Sequence, residues 1–223
     1  MIKLFNRVAL NFLTVFLLLY FAIFAAWYMA YSNYFFFPMV YEMEDIHGHV
    51  LKFDPQNRQG KADFVYVAPK LHLTIFYQML RAVDNEGEGL ADITYPVKDG
   101  QKQFLTTEEQ VHLQDVADMI SLLKSFAPLF LVLLVSVMLA MIFGGVWPYY
   151  VWRMYRWLLL VVALCGAVIY FTGFTKIFYG LHTMVFPEGH KWFFYYQDSL
   201  MSTMLKAPDS FAVFGIILGV FTL

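Results

Sequence analysis

Histidine is the residue of this sequence best suited to move protons near neutral pH, because its unperturbed pKa lies near ~6.5. The chain has six histidines and one cysteine. It lacks a P-loop, a GxGxxG dinucleotide fingerprint, a GxSxG nucleophile elbow and an HExxH zinc motif. Nucleotide-driven and conventional serine-hydrolase chemistry therefore have no support, and the histidines are the first candidates for catalysis.

His112 lies in a stretch whose pattern predicts a helix. Glu108 and Asp115 stand four residues before it and three after it, so both carboxylates share its face of that helix. A carboxylate beside an imidazole can fix its tautomer and raise its basicity. The same spacing is also typical of a surface histidine among solvated charges, and spacing alone leaves both interpretations open.

His182 follows the third apolar segment and precedes an aromatic stretch that includes Trp192. A histidine held by lipid headgroups would occupy the same position, so this interpretation stays open as well. The topology derived below nevertheless puts His112 and His182 at one depth on one side of the membrane. Two imidazoles beside an ester can serve as general base and as oxyanion donor.

A second group of ionisable residues comprises Glu42, Glu44, Asp45, His47 and His49. On a β-strand His47 and His49 would point to one face and could both bind a metal. A solvated acidic patch is the alternative. His72, in a predicted helix, is expected on the surface.

The elements that position these residues include four apolar segments. The composition is 60% hydrophobic and 14% charged, whereas a soluble domain has roughly 45–50% and about 25%. Lipid must therefore cover part of the surface. The predicted transmembrane helices are 8–31, 125–152, 157–175 and 210–223. The last has about 14 residues and reaches only ~21 Å across a ~30 Å hydrocarbon core.

Basic residues in short flanks predict the orientation. Lys3 and Arg7 precede the first segment, and Arg153 and Arg156 separate the second from the third. The positive-inside rule puts both flanks in the cytoplasm, so 32–124 and 176–209 should face outward, the latter as an interfacial loop. The net charge of −2 gives no indication of a nucleic-acid partner.

The outer region 32–124 is predicted to be a small α+β domain capping the helices. Runs rich in β-formers at 49–53 and 63–67 predict strands, and an i, i+3, i+4, i+7 pattern predicts a helix over 69–83. Asp99-Gly100 predicts a hairpin between 92–97 and 101–105, because Asp-Gly suits the positive φ angles of a tight turn. Thr106 and Glu109 match a capping box at the start of the next helix.

Two stretches resemble a known family, the bacterial lipoprotein intramolecular transacylases (Lit). The matching residues are Glu109, His112, Leu113, Asp115 and Val116, and then His182, Phe186, Trp192, Asp198, Ser199, Leu200, Met201 and Pro208. The number of apolar segments agrees as well. The stretch Pro187-Glu188-Gly189-His190 departs from the family's loop, where an asparagine is expected, and the cluster 42–49 has no known counterpart there.

The resemblance implies an acyltransferase of the bacterial cytoplasmic membrane, with its active site on the outer face. It would move the sn-2 acyl chain of a diacylglyceryl-cysteine to that cysteine's own α-amino group, giving a lyso-form lipoprotein. Its partners would be diacylglyceryl-modified lipoproteins and membrane lipid, and it would need no cofactor or metal. The alternative is a non-catalytic, membrane-anchored protein that binds lipidated proteins or a metal through its outer domain.

His112 and His182 fall on the family's two central histidines. An α-amine with a pKa near ~8 is mostly protonated at neutral pH, so a base must remove its proton before attack. We expect His112, backed by Asp115 or Glu108, to be that base and His182 to stabilise the oxyanion, with the reverse assignment open. Further supporting residues are expected to be Glu109, Trp192 and Asp198.

Overall fold

A computed structural model describes residues 2–143 and 149–222 of the chain, and most of this part is helical. The helices are α1 (Ile2–Ser32), α2 (Phe37–Met43), α3 (Ile46–Phe53), α4 (Pro69–Asp84), α5 (Thr107–Ser125), α6 (Ala127–Phe143), α7 (Tyr149–Thr172), α8 (Phe174–Val185), α9 (Leu200–Leu205) and α10 (Asp209–Thr222). Two strands, β1 (Thr94–Val97) and β2 (Gly100–Gln103), form an antiparallel hairpin.

Three helical stretches in the described part of the chain are long and apolar enough to cross a bilayer: Val8–Ser32, Thr107–Phe143 and Tyr155–Thr172. The fourth predicted segment is also an apolar helix, α10, but its 14 residues give it only ~21 Å. Within the predicted second segment, residues 144–148 lie outside the described residues. The helices are therefore consistent with a membrane protein, although the predicted count of four spans is not confirmed.

Helix α1 lies at the centre of the apolar part and packs against α6, α7 and α10. Leu17, Ala26 and Ala30 on its inner face are completely buried. Other faces of the bundle present large apolar side chains outward, such as Phe12 and Val132, each about two-thirds exposed at 64% and 65%. Such surfaces need an apolar medium around them.

The polar module, residues 34–106, is more helical than the sequence suggests. The strands predicted at 49–53 and 63–67 are wrong: the first run belongs to α3 and the second to a 3₁₀ helix, Ala62–Tyr66. The Asp45 carboxylate accepts a hydrogen bond from the Gly48 amide and so caps α3. Packing of α3 against α9 then overrides the weak strand propensity of the run.

Other predictions for this region are confirmed. Helix α4 forms, with Pro69 in its first turn, where a missing N–H costs nothing. The hairpin forms too, although Val97 pairs with Gly100, so the turn residues are Lys98 and Asp99, one position earlier than predicted. Neither of these two has the positive φ angle that the prediction assumed.

The capping box is confirmed and starts α5. The Thr106 hydroxyl accepts a hydrogen bond from the Glu109 amide, and the Glu109 carboxylate accepts one from the Thr106 amide at 2.5 Å. Helix α5 continues through Phe126 almost without interruption into α6, so one long element connects the polar module to the apolar bundle.

The third apolar helix ends at Thr172, where Gly173 takes a φ of +85° and separates α7 from α8. Only glycine adopts this angle without steric strain. The predicted loop 176–209 therefore begins with a helix, α8, which carries His182. The chain then passes through irregular structure and a 3₁₀ helix, Tyr196–Asp198, to α9 and α10.

Candidate active site

His112 and His182 lie side by side, with ring centroids 6.2 Å apart. His112 comes from α5 and His182 from α8, so the pair forms where these helices meet the stretch before α9. This distance confirms that the two imidazoles lie close together, and their location on one side of a membrane stays a prediction.

The His182 ring has a defined orientation. Its Nδ1 lies 2.7 Å from the carbonyl oxygen of Phe178, one helical turn earlier. A carbonyl only accepts, so Nδ1 must carry the proton, and the lone pair of the neutral ring lies on Nε2. Burial lowers the pKa of His182, and its bond to the Phe178 carbonyl partly offsets that shift. A neutral imidazole with a free Nε2 can accept a proton.

His112 is 9% exposed and packs among aromatic rings, with Phe186 at 4.6 Å and Phe194 at 6.0 Å between centroids. Its Nδ1 is buried and has no hydrogen-bond partner among the described residues. A buried polar atom without a partner is costly, and such atoms are common where a ligand or water binds. His112 is therefore available to a bound group.

The two histidines face a shared cavity of about 140 Å³, called here the histidine cavity. Aromatic side chains supply much of its wall: Phe178, Tyr179, Trp192, Phe193, Phe194 and Phe211. Trp192 lies against His182 at 5.2 Å between centroids. A site walled by rings excludes water, so hydrogen bonds made inside it are stronger than they would be in bulk solvent.

The two carboxylates expected to support His112 do not form hydrogen bonds with it in the described structure. Glu108 is exposed, and Asp115 accepts a hydrogen bond from His190 Nδ1 at 2.8 Å. Neither makes a hydrogen bond to His112 among the described residues, although Asp115 lies close enough to interact with it electrostatically; a carboxylate behind the base stays a prediction. The shared helix face was correct, but Asp115 finds a partner in the stretch after α8.

Two other predicted residues have structural partners outside the cavity. Glu109 is completely buried and also accepts a hydrogen bond from the Ser199 hydroxyl, which links the start of α5 to the start of α9. Asp198 pairs with Arg58 of the polar module at 3.6 Å. Of the predicted supporting residues, Trp192 alone lines the histidine cavity.

The comparisons with known proteins identify the family of this chain. A family model described as lipoprotein intramolecular transacylase Lit matches residues 8–211, which is most of the chain and includes both histidines. The chain belongs to the Lit family. This confirms the family expected from the sequence, and the family's name implies a transacylase that acts on lipoproteins. No curated protein and no solved structure matched the chain.

In this member of the Lit family, His47 and His49 do not have the strand geometry on which the metal-binding alternative depended. His47 and His49 lie on α3, where residues two apart point to nearly opposite faces. His49 Nδ1 lies 3.0 Å from the Thr203 carbonyl oxygen of α9, and His47 faces His72. No group of three histidine, cysteine or acidic side chains in the described ranges is arranged to hold a metal ion.

His72 is also not where the sequence predicted it. It is completely buried in the polar module, stacked on Phe64 at 4.8 Å and hydrogen-bonded to the Tyr41 hydroxyl at 2.7 Å. Burial lowers its pKa to about 4. This histidine contributes to the core of the Lit polar module and is distant from the cavity walls.

Sequence reasoning missed several residues of the Lit site. Phe178 stands four residues before His182, a spacing that puts both on one face of α8 and was available as a signal. His190 gave no such signal, because its partner Asp115 lies 75 residues away in the chain.

Proposed function

We propose that this protein moves the sn-2 acyl chain of a diacylglyceryl-modified N-terminal cysteine to that cysteine's own α-amino group. The product is a lipoprotein with an amide-linked chain on its amino terminus and one remaining ester-linked chain. The observation that supports this most strongly is the pair His112 and His182, 6.2 Å apart in one water-poor cavity of a Lit-family chain.

The reaction needs one proton acceptor and one stabilised oxyanion. The neutral α-amine attacks the sn-2 ester carbonyl, a C–N bond forms, and the carbonyl oxygen becomes an anion. The base takes a proton from the attacking nitrogen. The tetrahedral intermediate then collapses, the bond between the acyl carbon and the glycerol oxygen breaks, and the base returns its proton to that oxygen. No atoms are gained or lost, so no co-reactant is required.

We assign the base to His182 and the oxyanion donor to His112, the reverse of the assignment favoured by the sequence. His182 donates through Nδ1 to the Phe178 carbonyl, which leaves Nε2 free to accept the proton of the amine. His112 makes no hydrogen bond to a carboxylate among the described residues, so no carboxylate fixes its tautomer for the role of base. Donation of an N–H from His112 to the developing oxyanion would be worth roughly 10²–10³ in rate.

The proximity of the amine and the ester contributes the further rate enhancement. Amine and ester belong to one substrate molecule, so their encounter costs little entropy once the cavity holds both in reactive geometry. A covalent acyl-enzyme intermediate would add nothing to such a transfer. The aromatic wall that includes Trp192 and Phe178 restricts the substrate and keeps out the water that would hydrolyse the ester.

We further propose that the site lies at the outer boundary of the bacterial cytoplasmic membrane. A Cys165→Ala background removes the single native cysteine. On it, Glu188→Cys should react with a membrane-impermeant maleimide added to intact cells or spheroplasts, and Lys3→Cys should react only after lysis. Labelling of Lys3→Cys from outside would reverse the topology.

The central experiment uses a reporter lipoprotein co-expressed with this chain in a host without the activity. Because the transfer is an isomerisation, the intact mass of the reporter does not change. Fragmentation by tandem mass spectrometry must instead detect an N-acyl cysteine, and mild alkali should release one fatty acid where the starting form releases two. A reporter that stays wholly ester-linked beside a folded, abundant enzyme would refute the proposal and favour a non-catalytic binding protein.

The variants His112→Phe and His182→Phe keep a planar ring in place and should each abolish the N-acyl product. His190→Phe is the matched control, because it makes the same change in a histidine that bonds Asp115 outside the cavity. It should retain most activity. Full activity in His182→Phe would exclude His182 as the base.

A further inference from the structure

A second cavity adjoins the histidine cavity. It has a volume of about 330 Å³ and is called here the apolar cavity. Its walls come from α1, α4, α5, α8, α9 and α10 and consist of apolar and aromatic side chains together with one glycine. The two cavities share the wall residues Leu113, Val116, Phe178, Leu205 and Phe211.

Under the proposed function, the acyl chain of the substrate must extend from the histidine cavity past these shared wall residues. The reacting ester carbonyl lies between His112 and His182, so the alkyl chain attached to it begins in the histidine cavity. That cavity, at about 140 Å³, is smaller than the roughly 300–1,000 Å³ typical of ligand sites. It holds the ester and the amine, and the rest of the acyl chain must continue elsewhere.

We propose that the apolar cavity is the binding site for the sn-2 acyl chain, and that Gly215 on α10 sets the length of chain it accepts. This inference rests on the proposed function, because it takes the reacting ester to lie at the two histidines. The cavity is of ligand size, adjoins the reacting centre and is lined by apolar groups, as a saturated alkyl chain requires.

Gly215 is suited to control length. It lines the cavity, and a Cβ added there would have no heavy atom within 4 Å of it, so a larger side chain would project into open space. Gly215 is also exposed, so the cavity can be reached from the apolar surface of α10. A chain can therefore enter sideways from lipid without crossing water.

The apolar cavity must distinguish acyl chains of different length by steric fit. An acyl chain that leaves lipid gains little hydrophobic free energy in an apolar cavity, because its previous surroundings were equally apolar. A cavity that is too short instead rejects the surplus methylenes by overpacking. Discrimination on one methylene is commonly about 10-fold to 200-fold in enzyme pockets.

The test uses synthetic diacylglyceryl lipopeptides with palmitoyl at sn-1 and either octanoyl or palmitoyl at sn-2, offered in competition to purified enzyme. The Gly215→Leu variant should lower the ratio of palmitoyl to octanoyl transfer by about 10-fold or more relative to wild type. Exchanging the chains between sn-1 and sn-2 should remove the discrimination, because only the reacting chain enters the cavity.

Gly219→Leu is the matched control. It makes the same change one turn later on α10, at another glycine whose Cβ would be unobstructed, and Gly219 does not line the apolar cavity. Both variants gain the same helix propensity. Gly219→Leu should leave the chain-length ratio unchanged. An unchanged ratio in Gly215→Leu, or an equal shift in both variants, would overturn the inference.

Photocrosslinking does not require catalytic turnover, so it tests the acyl-chain site independently of the proposed reaction. A lipopeptide with a diazirine at the end of its sn-2 chain should, in the inactive His182→Phe variant, crosslink to residues around Gly215 and Leu218. Crosslinks confined to the outer surface of α7 would overturn the acyl-chain site even if transfer is normal. Failure of wild type to form any N-acyl product, with these crosslinks present, would overturn the proposed reaction alone.

Discussion

At the scale of single residues, the two cavity histidines are distinguished by their Nδ1 atoms. His182 Nδ1 is bound to the Phe178 carbonyl, which fixes one tautomer, whereas His112 Nδ1 has no hydrogen-bond partner among the described residues. Two charged imidazoles within 6.2 Å of one another would repel in a water-poor site, so the neutral pair is the stable resting state. This state can remove a proton from an amine.

The first prediction concerns the pH dependence of kcat/KM. Burial lowers the pKa of His182, so its neutral form prevails from about pH 6.5 upward. The free substrate amine, with a pKa near ~8, is then the reacting group whose titration sets kcat/KM over this range. We expect kcat/KM to rise about tenfold per unit between about pH 6.5 and pH 7.5 and to level off above about pH 8.

The measurement is initial rates with a soluble diacylglyceryl lipopeptide in detergent across this range. A plateau already present at pH 6.5 would mean that the amine is not the titrating group. The stability of the enzyme at each pH serves as the control.

The second prediction concerns Asp115, which the sequence put behind the base. Its carboxylate is bonded to His190 rather than to His112. Ion pairs with an exposed partner contribute little, about 0–1 kcal/mol. Asp115→Asn should therefore reduce kcat/KM by less than about fivefold, against complete loss in His182→Phe. A loss of several orders of magnitude would show that Asp115 acts in the chemistry.

The sequence was informative at this scale in a limited way. It pointed to His112 and His182 through residue type and topology and to Trp192 through the family resemblance, and all three line one cavity. It did not foresee the hydrogen bond of Asp115, because helical spacing specifies a face and says nothing of competitors from distant parts of the chain. His190 is such a competitor.

At the scale of elements, short sequence patterns correctly predicted the helices and the turn that are stabilised by interactions between residues close in sequence. The capping box, α4 and the hairpin follow from residues within one or two turns of each other. The runs at 49–53 and 63–67 were mispredicted because their conformation is set by tertiary contacts. Thr203 of α9 binds His49, and Lys206 donates to the Glu44 carbonyl at 2.7 Å.

The third prediction concerns Glu109, whose buried carboxylate bonds both the Thr106 amide and the Ser199 hydroxyl. These bonds join the helix that carries His112 to the start of α9. Glu109→Ala leaves the buried Ser199 hydroxyl without this acceptor, at about 1–3 kcal/mol, and removes the cap of the part-buried Thr106 amide as well. We expect a marked fall in the thermal midpoint and a parallel loss of activity.

Glu108→Ala is the control for this prediction, since Glu108 is exposed in the same first turn of α5. Loss of its interaction with the helix dipole costs about 0.3–1 kcal/mol. Thermal unfolding in detergent, followed by intrinsic fluorescence, compares the two variants. Equal midpoints would contradict the role given to Glu109.

At the scale of the whole molecule, the apolar bundle and its histidine cavity adjoin a polar module that contains buried ionisable groups. Asp54 in this module is 1% exposed, and neither carboxylate oxygen has a hydrogen-bond partner among the described residues. Burial raises the pKa of Asp54 to about 7, and it lowers that of His72 to about 4. As pH rises, the titration of Asp54 therefore lowers the free energy of unfolding, whereas the titration of His72 raises it.

The fourth prediction isolates the contribution of Asp54. Its pKa is about 7 in the folded state and about 3.9 in the unfolded state, so the folded protein binds the proton more tightly. The stabilisation is complete below about pH 4 and is lost as pH rises to about 7, by at most ~1.4 kcal/mol per unit. Relative to wild type, Asp54→Asn should become steadily more stable between about pH 5 and pH 7.

The difference between variant and wild type is the quantity to measure, because the titration of His72 is common to both proteins and cancels. Asp99→Asn, at an exposed position in the hairpin turn, is the control for the change of a carboxylate to an amide. The new amide of Asp54→Asn adds a constant offset, which leaves the slope unaffected. If the thermal midpoints of Asp54→Asn and wild type run parallel from pH 5 to pH 7, then Asp54 is charged throughout and must have a polar partner in solution.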